Sequence, residues 1–448
     1  MKKDNNCEIC KNNIPFKMPN EIIKAAINNN LVLFVGSGIS TESKSVYPFT
    51  FYEEIASELD YNIRSIDLSF PELMSKYCEK PNGKKELLKK IKYRIDYVKS
   101  FQSLYNTAVR FYTELSSIYL IKEIFTTNWD DFFETECGAI PFVTSDDLAF
   151  WDIPKRRVFK IHGSINNIGS IVATMEDYKK CYEGLKSHFI GNYLKVTLST
   201  KLVVFIGYSF RDEDFNRLYS LFKDELGRLM PHSYIVTLDK DTGNKFDSSL
   251  ITPIVTDGTY FIHTLKNKLI KEKILMKDSI DLYADLLLEV INDIHYNVMP
   301  ELKISEYPNV LYTYVYQDGI IDALQRFKKL KCTGDYHNRC NYHKWLYKYD
   351  EIRKKKIHIK KYTDVAYIDG YMNGLTIFLI DNIKELESFP YYYIYGLKKD
   401  IKNFAEYKSI IKSNKIFHKS AYNHAVALIS KMKISGGNKV YQHTPFLY

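Results

Sequence analysis

Four separated segments of this chain share one pattern, and that pattern limits the possible folds more than any other feature. Each is a run of apolar, often β-branched residues that ends abruptly in small and polar residues. The segments are Leu31–Ser40, Phe125–Asp131, Phe159–Ile165 and Val203–Phe215. A buried parallel strand that carries a loop at its carboxyl end has this composition. The four segments therefore predict strand ends that meet at one crevice.

Strands and helices are expected to alternate through the first part of the chain. The apolar runs predict strands at 31–35, 121–126, 158–161, 202–206 and 234–238. The spacing of apolar residues predicts helices at 21–28, 49–59, 86–120, 175–194 and 214–229. This alternation is typical of an α/β fold with a doubly wound parallel sheet.

The character of the sequence changes after residue 297. Pro300 and Pro308 flank a short polar connection, and no glycine-rich loop follows it. Five later segments have helical spacing, namely 320–330, 341–356, 372–386, 397–412 and 420–433. We therefore expect an N-terminal segment at 1–19, an α/β domain at 20–297 and a mainly helical domain for assembly or regulation at 298–448.

The first of the four segments has the features of a phosphate-binding loop. Gly36 and Gly38 permit a tight turn and let the backbone approach a diphosphate, because neither carries a β-carbon. A helix that begins near Ile39 would direct N–H groups at the anion. An ordinary turn is the alternative for this sequence.

The second and third segments supply the polar side chains with the most direct chemical potential. Asn128 at a strand end can hold a water or a ribose hydroxyl, and the nearby Asp130 can accept a hydrogen bond from a sugar. The alternative is a turn closed by an Asx hydrogen bond. His162 can act as a general base at a glycosidic bond if its imidazole is neutral. A structural histidine is the alternative for this residue.

The fourth segment ends in Gly207, Ser209 and Asp212. Gly207 permits the close approach of a ligand, and the Ser209 hydroxyl can bind a phosphate or a ribose. Asp212 is suited either to ligand contact or to capping the helix that follows.

Taken in order, the motifs GSGIS, TTNWD, KIHG and GYSFRDEDF resemble the sirtuin-like family, and its bacterial NAD-hydrolysing branch more than its protein deacetylases. The resemblance runs from Asn20 to about Ile294 and implies a Rossmann-like sheet. It implies that Asn128 and His162 are the catalytic pair. It also implies that the NAD-contacting residues are Gly36, Ser37, Gly38, Ile39, Asp130, Gly207, Ser209 and Asp212.

One departure from the deacetylases concerns metal binding. Those enzymes carry a zinc ribbon with paired Cys-x-x-Cys motifs after the histidine, whereas this chain has only Cys137 and Cys181 between Asn128 and Gly207. The acyl-peptide-binding stretch expected after His162 is also missing. No metal is therefore expected, although a structural zinc at Cys7 and Cys10, or at Cys332, His337, Cys340 and His343, stays an alternative.

The resemblance implies hydrolysis of NAD+ to nicotinamide and ADP-ribose by an effector of abortive infection against phage. NAD is then a substrate, and the expected partners are further copies of the chain and a protein such as a ring-forming ATPase. A deacylase or ADP-ribosyltransferase remains one alternative, and a non-catalytic module that binds NAD or ADP-ribose remains another. Activity on acyl-lysine peptides, or ligand binding without turnover, would distinguish them.

Composition adds further expectations. The formal charge of +9 follows a bias that runs through the whole chain, so contact with nucleic acid is expected only indirectly. The chain has no long apolar run, no apolar leader, and seven irregularly spaced cysteines, which predict a cytoplasmic protein without membrane contact. The tyrosines at 391–393 and 395 are interpreted as packing residues rather than a stacking platform for bases.

Overall fold

The chain divides into two compact units. The first comprises Met1–Leu275 with Cys332–Gly334, and the second comprises Met276–Lys331 with Asp335–Tyr448. The computed structural model describes residues 13–40, 43, 46–63, 65–208, 220, 223, 227, 231–238, 250–380, 383–401 and 403–434. The segment 279–293 thus belongs to the second unit, whereas the functional boundary near residue 297 stays a prediction.

A seven-stranded parallel sheet forms the centre of the first unit. Its strands are β1 (Leu31–Val35), β2 (Glu123–Thr126), β3 (Ile140–Phe142), β4 (Arg157–Lys160), β5 (Leu202–Ile206), β6 (Ser233–Thr237) and β7 (Ile251–Val255). Their order is β3-β4-β2-β1-β5-β6-β7, and every neighbouring pair is parallel. The chain crosses from one side of β1 to the other between β4 and β5, which is the kind of switch point where such sheets bind ligands.

Both faces of the sheet are buried, which explains the continuous apolar runs. Leu33 and Val35 of β1 pack into one hydrophobic cluster, and Val32 and Phe34 pack into another. Helices contribute to both clusters. The predicted α/β fold with a Rossmann-like, doubly wound parallel sheet is therefore confirmed.

The described helices of the first unit include one of the predicted length at 20–27 and several that are shorter than predicted. They are α1 (Asn20–Ile27), α2 (Phe51–Glu58), α3 (Phe70–Cys78), α4 (Gly83–Ser100), α5 (Gln102–Ala108), α6 (Arg110–Ser116), α7 (Phe132–Cys137), α8 (Met175–Ser187), α9 (Phe189–Thr200) and α10 (Gly258–Lys271). The predicted helices at 86–120 and 175–194 are interrupted because Phe101 and His188 have extended backbone conformations. Within the helix predicted at 214–229, the structure describes residues 220, 223 and 227, which are too few to test that prediction.

The helix predicted to begin near Ile39 is wrong. A three-residue 3-10 turn, Ser37–Ile39, follows β1, and the next regular helix in the described part of the chain is α2. Thr50 caps α2 through a reciprocal bond with Glu53, so the sequence defines that later start.

The described part of the second unit is mainly helical, as predicted. Its helices are α11 (Ser279–Asp293), α12 (Val310–Leu330), α13 (Arg339–His358), α14 (Tyr362–Thr376), α15 (Phe404–Lys412) and α16 (Lys419–Ile434). The continuous helix predicted at 372–386 is wrong, because Thr376 ends α14 and Ile380 is extended. In the part of the chain described here, no helix combines the length and apolarity needed to span a membrane.

Candidate active site

The register of the sheet brings the four predicted loops side by side. The last residues of four adjacent strands are partners across the sheet, namely Lys160, Thr126, Val35 and Ile206. Asn128 and His162 each lie two residues beyond their strand, and Gly36 and Gly207 each lie one residue beyond theirs. The sequence prediction that these four strand ends share one edge is therefore correct.

The loops after β1 and β5 interlock through their backbones. Gly38 N–H donates to the Gly207 carbonyl at 3.1 Å, and Gly36 N–H donates to the Ile206 carbonyl at 2.8 Å. A β-carbon at Gly36 or Gly38 would lie 2.7 or 2.8 Å from the Gly207 oxygen. The glycines therefore permit contact between the two loops, a role that the sequence analysis did not foresee.

The other candidates in these two loops differ in what surrounds them. Gly207 has a φ of +78°, and a β-carbon there would lie 2.9 Å from the Ile39 methyl Cγ2. Ser37 is partly exposed, and Gly38 is exposed, so this turn remains open to a ligand. Ser209 and Asp212 lie outside the described residues.

Asn128 is buried and has one unsatisfied polar atom. Its backbone N–H donates to Thr126 Oγ1 at 3.0 Å, and its side-chain Nδ2 donates weakly to the Tyr112 hydroxyl at 3.5 Å. The side chain is among the buried polar groups, whereas Oδ1 has no hydrogen-bond partner among the described residues. Leaving such an atom unpaired costs about 1–3 kcal/mol, so this carbonyl oxygen is a strong candidate to bind a ligand or a water.

Asp130 is held inside the protein by several donors. Ser40 Oγ donates to Oδ2 at 2.9 Å, and the Tyr112 hydroxyl and the Phe132 N–H donate to Oδ1 at 3.3 and 3.2 Å. Burial raises the pKa of Asp130, and the positive charge of Lys160 opposes that shift. A sugar hydroxyl would compete with these bonds, so the contact of Asp130 with NAD remains a prediction.

The sequence analysis missed Tyr112, Ser40 and Lys160. Tyr112 is fully buried on α6 and joins Asn128 to Asp130 through its hydroxyl. Lys160 at the end of β4 donates to the Asp130 carbonyl and pairs with Glu134. Tyr112, with Phe111 and Leu115, has the spacing of an ordinary buried helix face, so the sequence carries no local signal of this contact.

His162 is buried and uncharged near neutral pH. Burial lowers the pKa of its imidazole from 6.5 to about 3. The ring lies against Tyr178, with 5.0 Å between ring centroids, and the backbone carbonyl accepts from Val172 N–H at 3.0 Å. The condition of a neutral imidazole, on which its predicted role depends, is therefore met.

A cavity of about 340 Å³ adjoins the end of β4. Its lining includes Ile161, which precedes His162 in the chain, and Val172, whose N–H donates to the His162 carbonyl. Cys181 of α8 and His188, which lies between α8 and α9, also line it. This volume lies in the range of about 300–1,000 Å³ that is usual for small-molecule sites. There is thus space for a ligand beside the loop that carries His162.

Metal binding finds no support in the geometry. Among the residues described, no three His, Cys, Asp or Glu side chains are grouped so that they could hold a metal ion. The set Cys332, His337, Cys340 and His343 is therefore not assembled as a zinc site, and Cys7 and Cys10 lie outside the described residues. Cys137 is buried beside Tyr112, where burial raises the pKa of its thiol to about 12.

Comparison with known proteins identifies one domain and two relatives. Residues 122–253 match the SIR2-like domain. An NAD(+) hydrolase ThsA from Cytobacillus dafuensis is 29% identical over 215 residues, which are 46% of this chain and 41% of the relative. An NAD(+) hydrolase ThsA from Enterococcus faecium is 38% identical over 63 residues, which are 14% of this chain and 13% of the relative. The chain thus spans less than half the length of these curated relatives.

Proposed function

Because this chain carries a SIR2-like domain and resembles bacterial NAD-hydrolysing proteins of the sirtuin-like family, we propose that it hydrolyses NAD+. The bond cleaved is that between nicotinamide and ribose, and the products are nicotinamide and ADP-ribose. The observation that carries the proposal is the pairing of Thr126 with Lys160, which aligns the loops of Asn128 and His162.

We assign Asn128 the role of positioning the attacking water. Its Oδ1 has no partner among the described residues and can accept a hydrogen bond from a water on the ribose face opposite the leaving group. As the C–N bond breaks, its electron pair goes to nicotinamide, which is a cation in NAD+ and leaves as a neutral molecule. The water oxygen forms the new bond to the ribose carbon.

We assign His162 the role of the general base that accepts the proton released by that water. The transition state resembles an oxocarbenium ion, so a second positive charge nearby would raise the barrier. Burial keeps the imidazole neutral before the reaction, and the water becomes strongly acidic only as its oxygen bonds to carbon. A base with a lowered pKa can therefore still accept the proton late in the step.

The remaining candidates are assigned to holding NAD+. We assign the diphosphate to the partly exposed turn Ser37–Ile39, which follows β1 at the switch point of the sheet, and to Gly207 beside it. Ser209 and Asp212 complete this set on the strength of the sequence motif. Asp130 acts by fixing Tyr112 and Ser40 around Asn128, in addition to any contact with the nucleotide.

In the cell, we propose that the protein is a cytoplasmic antiphage effector that depletes NAD+. An unrestrained NAD+ hydrolase would harm its own host, so the helical region 298–448 is assigned to restraint through oligomerisation or through a partner such as a ring-forming ATPase. Nucleic acid would act on it only indirectly. Light scattering on the full chain, with NAD+ turnover measured across the same concentration series, tests whether assembly and activity change together.

The decisive experiment follows the products. Purified full-length protein is incubated with NAD+, and nicotinamide, ADP-ribose and cyclic ADP-ribose are resolved by chromatography. Equal release of nicotinamide and ADP-ribose supports hydrolysis. Consumption of NAD+ only when an acyl-lysine peptide or an acceptor protein is present would favour the deacylase or ADP-ribosyltransferase alternative. Binding of NAD+ without turnover, under conditions in which the chain is assembled, would favour the non-catalytic alternative.

A further inference from the structure

A second cavity, of about 260 Å³, lies within the helical unit. Segments of α12, α13 and α14 form it together with residues 390–400. The lining residues that matter here are Tyr316, Arg353, Asp369, Asn373, Tyr393 and Lys398. The cavity brings three cationic side chains and two carboxylates, the latter from Asp369 and Asp400, together with a wall of aromatic rings.

The aromatic wall is fixed by hydrogen bonds. The rings of Tyr316 and Tyr393 are stacked, with 5.0 Å between centroids and 12° between planes. The Tyr316 hydroxyl donates to the Pro390 carbonyl at 2.6 Å and accepts from Asn373 Nδ2 at 2.8 Å. This arrangement holds the Asn373 amide in one orientation, and among the described residues its Oδ1 has no partner.

Arg353 is held in place by only one of its nitrogen atoms. Its Nε donates to Asp369, and the Tyr393 hydroxyl donates to the other oxygen of that carboxylate at 2.9 Å. Within the described part of the chain, Nη1 and Nη2 have no hydrogen-bond partner, although the residue is only one-third exposed. A guanidinium fixed at Nε offers its two terminal groups to a carboxylate or phosphate in a bidentate arrangement.

Lys398 supplies a second positive charge. It is exposed at the cavity and has no ion pair among the residues described, in contrast to the adjacent Lys399, which pairs with Glu406 at 2.7 Å. Asp369 is already bonded to Arg353 and Tyr393. Among the lining residues, the three cations Arg353, Lys398 and Lys399 outnumber the two carboxylates Asp369 and Asp400 by one.

We propose that this cavity binds a small organic anion, with Arg353 and Lys398 holding its carboxylate or phosphate oxygens. Asn373 Oδ1 would accept from a hydroxyl or ammonium group of the same molecule. The volume falls below the lower limit of about 300 Å³ for drug-sized sites, which favours a ligand smaller than a dinucleotide. This site is separate from the proposed NAD+ site, since all of these residues belong to the second unit.

Calorimetric titration of the full-length protein with inorganic phosphate, and separately with succinate, tests the proposal. Binding of succinate alone assigns a carboxylate ligand, and binding of phosphate alone assigns a phosphate ester. In Arg353→Lys, which keeps the charge but removes the planar fork, we expect affinity to fall by about tenfold or more. In Lys398→Gln, where the side chain is exposed and folding is not at risk, we expect a loss of about threefold.

The matched control is Lys354→Gln. Lys354 is the next residue on α13, is exposed and pairs with Asp350, and does not line the cavity. The affinity of the Lys354→Gln variant for either probe should equal that of the unmodified protein. Absence of binding by both probes at millimolar concentration would overturn the proposal. So would binding that Lys398→Gln and a folded Arg353→Lys leave unchanged.

Discussion

Two buried amides, one in each unit, have opposite surroundings. Gln317 on α12 is fully buried, its Oε1 bonds to His295 Nδ1 at 3.1 Å, and its Nε2 donates to the Tyr391 carbonyl at 3.1 Å. Asn128 is also buried, but its Oδ1 lacks a partner among the described residues and its Nδ2 makes only a long bond. Both polar atoms of the Gln317 amide therefore bond within the fold, whereas the Oδ1 atom of Asn128 is available to bind a substrate or a water.

The same contrast extends to the neighbours of Gln317. Thr313 Oγ1 bonds to the Tyr407 hydroxyl at 2.6 Å, and the Tyr312 hydroxyl donates to the Ala421 carbonyl at 2.7 Å. Burial of these polar groups is offset by hydrogen bonds within the protein, so they specify packing. An unpaired amide at a strand end is a better indicator of function than the mere presence of buried polar residues.

The largest effect should come from removing the catalytic candidates. Asn128→Ala and His162→Ala should each reduce kcat for NAD+ hydrolysis by about 10²–10⁴-fold, because each removes a group that acts in the transition state. Steady-state turnover, with circular dichroism to confirm folding, measures the effect. A folded His162→Ala protein with the parental rate would contradict the assignment of the base.

Gln317→Leu should lower the stability of the protein without lowering its activity. It leaves His295 and the Tyr391 carbonyl without their partner, and each unsatisfied buried group costs about 1–3 kcal/mol. We expect the free energy of unfolding, measured in urea, to fall while NAD+ turnover per folded molecule is unchanged. Asn297→Ala, which removes an exposed amide of the same unit, is the control and should change stability by less than about 0.5 kcal/mol. If both variants were equally stable, the contrast between the two amides would fail.

Gly38→Val should weaken both the fold and the binding of NAD+. The added β-carbon would lie 2.8 Å from the Gly207 oxygen, so the loops must separate at a cost of about 1–3 kcal/mol. We expect a lower melting temperature and a raised KM for NAD+. Gly169→Ala is the control for the melting temperature alone, because the nearest atom to its β-carbon would be 3.9 Å away and the residue lines the cavity beside the His162 loop. An unchanged melting temperature in Gly38→Val would show that the interlock is not a constraint.

The smallest effect concerns pH. The pKa of His162 is about 3 in the folded protein and near 6.5 when unfolded, so the unfolded chain binds the extra proton between these values. Stability should therefore fall as pH drops from about 6.5 towards 3, by on the order of 1–2 kcal/mol between about pH 7 and pH 5. Urea unfolding at both pH values tests this. The loss should be smaller in His162→Phe, and an identical loss would exclude His162 as its source.

The sequence predicted the central strands well but missed the two edge strands. β1 and β5 have the predicted bounds, whereas β3 and β7 contain Pro141 and Pro253. A proline has no N–H to donate, which argues against a central strand but is tolerated at an edge. Both missed strands lie at the edges of the sheet, where that cost is small.

The candidate site was predicted where the chain itself carries the signal. A strand that ends in Gly, Asn or His is visible in the sequence, and the register then places these ends together. The contact of Tyr112 with Asp130 depends on how α6 packs against the loop after β2, and no local pattern specifies that packing. Likewise, the contact of Gly38 with Gly207 joins distant segments, so the sequence predicts a phosphate loop or an ordinary turn but not the contact between the two loops.

The central position of β1 has a consequence for the protein during its synthesis. β1 is made early, but one of its two neighbours, β5, is made much later. At usual elongation rates, the ribosome needs on the order of tens of seconds to make the intervening residues. Until then β1 has an unpaired edge, and Gly36 and Gly38 have no second loop against which to pack. The nascent chain therefore cannot assemble the proposed nucleotide site before most of the first unit has been made, which delays the appearance of activity.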